Sequence, residues 1–214
     1  LTLQNGLGNP EQIAESFPGH QVAMGATDVP ADVAGPSHVR SHGHGAIRLW
    51  SLSGEASSRL ERIRSLLETA GIPSTADPDI RVAVWEKASF NAAMNGLCAL
   101  ARVPVGSLDN QDGRALIQDI VTEAVATAAA IGICLDQSRI LSKIDFALAN
   151  HRGHHPSMLQ DLLAGRETEI ETINGAIARI AEQHQIPAPI NRTLTRLVRL
   201  AQSPKARPET SPPA

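Results

Sequence analysis

Tyrosine is absent from these 214 residues, and aromatic side chains together make up only 2% of them. A core built from this chain must therefore be aliphatic, and a platform for stacking nucleic-acid bases is excluded. Charge of one sign is lacking too. The formal net charge is −3, which leaves no electrostatic footprint for nucleic acid. No run of about 18 apolar residues occurs, so no helical membrane span is expected. Cysteine is scarce: Cys98 and Cys134 both lie in alanine-rich apolar stretches and read as reduced core residues, not as a disulfide. The opening residues do not read as a secretory signal, and a cytoplasmic setting is the expectation. What is present is an ordinary globular composition, 42% apolar, at a length that suits one large domain or two small ones.

In chain order the pattern is α/β first and all-α afterwards. Leu1-Thr2-Leu3 looks like the end of a buried strand running into Gln4-Asn5-Gly6-Leu7-Gly8, with no initiator Met, so a preceding segment is expected to be missing. Asn9-Pro10-Glu11 reads as a helix start with Asn as cap. A strand is predicted over Gln21 to Thr27. Two more, Val39 to His42 and Ala46 to Leu52, are predicted to pair as a hairpin around Gly43-His44-Gly45. A helix from Ser53 to Ala70 follows, ended by Gly71. From Asp79 onwards every predicted element is a helix: Asp79 to Arg102, Asp112 to Ile131, Ser138 to Asn150, Ser157 to Leu163, Glu167 to Gln183 and Pro189 to Gln202. The expected domains are 1–76 and 77–202, with a disordered Pro-rich tail over 203–214.

Three stretches carry residues suited to chemistry. Lys87, Asn91 and Asn95 are spaced i, i+4, i+8, which sets them on one helix face climbing about 12 Å. A lysine can donate a proton and amides can fix hydroxyl or carboxylate groups. On spacing alone a solvated Lys/Asn face is the commoner explanation of such a row. Glu169, between Thr168 and Ile170, is a carboxylate that can line a cleft or simply belong to a glutamate-rich surface with Glu167 and Glu171. Ser157 follows Pro156 and reads as a helix N-cap, a place where a hydroxyl and backbone N–H groups can also meet a carboxylate. No metal site is expected. His20, His38, His42 and His44 lack a cysteine or carboxylate to complete a set, and His151, His154 and His155 read as surface loop residues. Gly6-x-Gly8 alone is not a dinucleotide fingerprint, and no Gly-x-Gly-x-x-Gly follows a strand anywhere in the chain.

Taken together, Leu3-Gln4-Asn5-Gly6-Leu7-Gly8-Asn9, Trp85-x-Lys87-x-x-x-Asn91-x-x-x-Asn95 and the long run from Ser157-Met158-Leu159-Gln160-Asp161 through Gly165-Arg166-x-Thr168-Glu169-Ile170-Glu171-x-Ile173-Asn174-Gly175 resemble the ketopantoate reductase family. Ile186-Pro187-x-Pro189-x-Asn191 fits as well. The resemblance implies the C-terminal part of a Rossmann NADP-binding domain followed by a helical domain like that of 6-phosphogluconate dehydrogenases. It implies NADPH-dependent reduction of 2-dehydropantoate (ketopantoate) to pantoate, in pantothenate and coenzyme A biosynthesis. Lys87 would be the general acid, with Glu169 beside it as its catalytic partner. Asn5, Lys87, Asn91, Asn95 and Ser157 would bind the 2-keto acid, and Asn5, Ala31 and Glu169 would contact the cofactor. A homodimer is a further expectation; nucleic acid, membrane and metal partners are not.

The chain also departs from the family pattern. The Gly-rich loop that holds the cofactor pyrophosphate has no counterpart in it, so this chain by itself is expected to bind NADPH weakly or not at all and to be inactive. Val105 stands where the family tends to place a polar residue, and the segment from Thr27 to Gly35 departs from the common pattern. The alternatives are a reductase of another small 2-keto acid and a non-catalytic helical module that dimerises through the alanine-rich helix from Asp112 to Ile131.

Overall fold

The computed structural model describes residues 1–29, 31–41 and 45–202. The predicted tail, Pro30, and the residues His42, Gly43 and His44 of the predicted hairpin lie outside them.

The chain enters alongside a sheet, Thr2 bridging Met24 in parallel, and turns through Gly6 and Gly8, both at positive φ. Helix α1 (Asn9–Ala14) follows. Its cap is Gly8 and not Asn9, whose side-chain amide reaches back to the Asn5 carbonyl at 3.0 Å. Strands β1 (Ala23–Thr27), β2 (Ala31–Gly35), β3 (His38–Ser41) and β4 (Ile47–Ser51) come next, then helix α2 (Ser58–Thr69) and strand β5 (Ser74–Ala76). The rest is helical: α3 (Ile80–Ala101), α4 (Gln111–Ala130), α5 (Gln137–Asn150), α6 (Ser157–Leu163), α7 (Asn174–Gln183) and α8 (Pro189–Gln202).

The sheet order is β1-β4-β5, with β1 antiparallel and β5 parallel to β4, and β2-β3 form a separate ribbon. This corrects the predicted hairpin. The segment at Val39 pairs with Ala31–Gly35 through a turn at Gly35-Pro36-Ser37, where Ser37 takes φ 58°, and not with the strand at Ala46 to Leu52. Alternation in β4 sends Ile47 and Leu49 inward, and β1 is buried on both faces. One face packs Ala23 and Leu49 against Leu60 of α2, and the other packs Met24 and Ala26 against Ile80 and Ala83 of α3. The helix predicted from Ser53 starts only at Ser58. There Ser57 accepts the Leu60 N–H, whereas Gly54 sits in a turn at φ 81°.

Helix α3 is the axis of the helical part, and α4, α5, α6 and α8 all pack on it. Its alanines and Gly96 permit close approach, and one aliphatic core runs from Trp85 to Val198. Several buried polar groups are tied in, although among the described residues Asn174 Oδ1 and Trp50 Nε1 are buried without a partner. Glu123 of α4 accepts the Ile190 and Asn191 N–H groups at the start of α8, at 2.8 and 2.9 Å, and the Asn191 amide at 2.7 Å. Asn174 donates to Asn191 and to the Ala92 carbonyl, each at 3.0 Å. Cys98 is buried, its thiol pushed up to about 12 by loss of solvent. Cys134 is exposed in the turn between α4 and α5, which corrects its reading as a core residue. Among the described residues no helix is long and apolar enough to cross a membrane.

Candidate active site

The turn after Thr2 is where the two parts of the chain lock together. A Cβ at Gly6 would stand 2.5 Å from the Thr172 carbonyl oxygen, and φ there is +90°, so only glycine lets the backbone lie this close. The next residue uses the approach, Leu7 N–H donating to that same carbonyl at 2.7 Å. Spending the Thr172 carbonyl in this way goes with a break in the helix predicted over Glu167 to Gln183. Glu169–Glu171 form a short 3-10 turn capped by Thr168, Ile173 leaves helical geometry at ψ −97°, and α7 starts only at Asn174. Glu169 therefore projects from a turn, half-buried, and its carboxylate accepts the Asn5 side-chain amide at 3.2 Å. Two residues 164 apart in sequence meet across the seam.

Lys87 faces the same seam from α3. Its Nζ donates to the Thr27 carbonyl at the end of β1, at 2.7 Å. Burial pushes the Lys87 ammonium below the ordinary lysine range, while the carboxylates of Glu169 and then Asp28 pull it back up. Its neighbour Glu86 does not share this site. Glu86 is turned into the helical part and pairs with Lys143 at 3.0 Å and Arg139 at 3.5 Å on α5.

The other predicted residues fall at several depths. Asn91 is half-buried and Asn95 is buried, both on the α3 face of Lys87, and among the described residues neither side chain makes a hydrogen bond. Their amides are available to a ligand. Ser157 is exposed at the first turn of α6, which packs on α3. It is not the predicted N-cap: Pro156 holds that position, and no side chain caps the helix. Val105 is buried, its N–H donating to the His154 carbonyl at 3.0 Å. Ala31 is exposed on the β2-β3 ribbon. The structure brings Lys87, Glu169 and Asn5 to one seam; Asn91 and Asn95 extend the row along α3, and among the described residues Ser157 and Ala31 make no hydrogen bond to them.

Sequence reasoning missed the Thr27 carbonyl and Asp28. A backbone acceptor has no signature in sequence, and Asp28 lies 59 positions from Lys87, beyond any local spacing rule. A cavity of about 310 Å³ opens behind the Gly6–Gly8 turn, lined by Trp85, Ile131, Ile133 and Ile180 and by Arg81 and Arg179. It includes none of Lys87, Asn91, Asn95, Ser157 or Glu169.

The chemistry on offer is that of an ammonium held by a carbonyl, in the field of two carboxylates, with two amides on the same helix face that make no hydrogen bond among the described residues. Such a group can polarise a carbonyl and hand it a proton. Comparison with known proteins gives the family. Residues 1–54 match the family model described as ketopantoate reductase PanE/ApbA, and residues 79–202 match its C-terminal model. A 2-dehydropantoate 2-reductase of Halobacterium salinarum is 36% identical over 203 residues, covering 94% of this chain and 67% of that protein. Among solved structures, 2-dehydropantoate 2-reductase from Geobacter metallireducens aligns with a TM-score of 0.87 at 30% identity, over 94% of this chain and 67% of that one. The ternary structure of D-mandelate dehydrogenase with NADH and anilino(oxo)acetate aligns at 0.88 and 29% identity, over 94% and 66%. The chain thus spans about two thirds of the length of these relatives. With both family models matched in order along the chain and a relative more than a third identical, the chain belongs to the ketopantoate reductase family.

Proposed function

We propose that the protein carrying this chain reduces 2-dehydropantoate to pantoate with NADPH, and that Lys87 is its general acid. The observation that carries the reading is the meeting of Lys87, Glu169 and Asn5 at one seam, with the Lys87 Nζ 2.7 Å from the Thr27 carbonyl and Asn5 3.2 Å from Glu169. A non-catalytic helical module gives no reason for a half-buried lysine to face a carboxylate across two parts of the chain.

Lys87 would sit beside the keto oxygen, lower the energy of the developing alkoxide and give it a proton. Burial makes the ammonium a stronger acid than a free lysine, and the Glu169 carboxylate opposes that shift. Asn91 and Asn95, whose side chains make no hydrogen bond among the described residues, would take the hydroxyl end of the substrate, and Ser157 its carboxylate. The nicotinamide cofactor supplies the hydride when bound. Asn5 and Glu169 fit the ribose end of such a group, since an amide and a carboxylate can hold a pair of hydroxyls. Ala31 would touch the cofactor from the ribbon. The 214 residues contain no Gly-rich pyrophosphate loop, so calorimetry on them alone should register weak NADPH binding or none. Pairing of two copies belongs to the same reading and is tested by sedimentation.

A second reading within the family has its own support. The D-mandelate dehydrogenase that aligns so well is bound to NADH and anilino(oxo)acetate, so a different 2-keto acid and NADH are the alternatives. The test is turnover by the protein that carries this chain, with ketopantoate, phenylglyoxylate and unbranched 2-keto acids, each with NADPH and with NADH. The proposal expects the highest kcat/KM for ketopantoate with NADPH. Comparable values for unbranched acids would remove the named substrate.

A further inference from the structure

The seam contains one charged group that the proposed mechanism leaves without a role. Asp28 directly follows Thr27, whose carbonyl accepts the Lys87 Nζ at 2.7 Å. Its backbone N–H donates to the Ala46 carbonyl at 3.3 Å, and its Oδ1 accepts the Ala46 N–H at 2.6 Å. This two-way clasp ties the end of β1 to the start of β4 and fixes where the Thr27 carbonyl points. Among the described residues nothing donates to the other carboxylate oxygen. We propose that Asp28 is a positioning residue for Lys87: its clasp aims the Thr27 carbonyl, and its carboxylate supplies a second counter-charge, from the sheet side, opposite Glu169.

The charges around the ammonium divide cleanly. From the 3-10 turn comes Glu169, held by Asn5. From the end of β1 comes Asp28, whose field at Lys87 has the same sign as that of Glu169. From α3 itself the adjacent carboxylate, Glu86, is engaged by Lys143 and Arg139. One counter-charge thus belongs to each part of the chain. Lys87 faces both counter-charges only where the sheet and the helices are docked, so docking of the seam sets how strongly the ammonium holds its proton. The charge argument does not depend on the proposed reaction; only its consequence for rate rests on that reading.

The chain has just three lysines, Lys87, Lys143 and Lys205, so the Cε resonances of ¹³C-labelled lysine can be assigned with a Lys143→Arg variant and titrated one by one. Lys87 should titrate below the ordinary lysine range. Asp28→Asn keeps an oxygen for the Ala46 N–H and removes the charge. It should lower the Lys87 midpoint by about one pH unit, as loss of a nearby opposite charge does, and Glu169→Gln should move it the same way. Asp28→Ser, which also offers an oxygen acceptor, should lower it equally and covers the case in which the asparagine variant folds poorly. An unchanged Lys87 midpoint in folded Asp28→Asn or Asp28→Ser protein, with Glu169→Gln shifted, overturns the role of Asp28 and leaves the proposed reaction standing. The expected shift together with undiminished turnover by a Lys87→Ala enzyme would keep the charge pair and sink the reaction.

Discussion

The helical part and the sheet part of this chain are built on different scales. Between α3 and α8 a single aliphatic core is closed by polar links in which Asn174 donates to Asn191, Asn191 to Glu123, and Glu123 accepts the first N–H groups of α8. The three-stranded sheet has only two small clusters, one per face, and the second of these is completed by Ile80 and Ala83 of α3. The sheet is therefore ordered largely by docking, and the helices by their own packing. Lys87, Asn91 and Asn95 stand on the rigid side, whereas Thr27, Asp28 and Asn5 come from the side that needs support. A site at such a seam has a lysine and two amides on one side and, on the other, partners whose placement depends on docking.

The largest expected effect tests the rigid side. Glu123→Ala strips acceptors from two backbone N–H groups and a buried amide, and should destabilise the fold by about 3 kcal/mol in chemical denaturation. A loss well under 1 kcal/mol would mean that water replaces the carboxylate and that the helical core is looser than described. Leu49→Ala tests the other side. Leu49 is fully buried in a small cluster, and its truncation should cost about 2 kcal/mol. Amide exchange should quicken across β1, β4 and β5 while α4 and α7 stay protected. Equal loss of protection in the helices would break the comparison. Gly6→Ala acts only at the seam. The added Cβ meets Thr172 and the positive φ is disfavoured, so about 1 to 2 kcal/mol of destabilisation is expected. It should be accompanied by faster exchange of the Leu7 amide.

The helices were readable because their ends carry chemistry that works locally. Asn110 and Asp136, which accept first-turn N–H groups of α4 and α5, Pro189 at the head of α8 and Gly165 at positive φ after α6 stand at boundaries close to those expected. The strands were less so. β5 has only three residues, and β2 is a short segment whose pairing with β3 rests on Ser37 in a left-handed turn, a conformation that serine seldom advertises. The break at Ile173 could not be seen locally either, because its cause is Leu7, far away in sequence and docked on the Thr172 carbonyl. The site followed the same rule. Spacing marked the α3 row but left Lys87, Asn91 and Asn95 readable as a solvated face, and Glu169 readable as a surface acid. The family resemblance singled them out, and the fold brings Lys87 and Glu169 to one seam with Asn5. Asp28 carried no local signal at all.

The most direct measurement of the central claim is steady-state turnover of ketopantoate by the protein that carries this chain, comparing the native enzyme with Lys87→Ala across pH. Native activity should fall as pH rises through a midpoint below the ordinary lysine range, because the working form is the protonated one and burial weakens its hold on the proton. Lys87→Ala should lose about 10²- to 10⁴-fold in kcat and lack that alkaline limb. A Lys87→Ala enzyme with native kcat and the same alkaline limb would contradict the assignment of Lys87 as the proton donor.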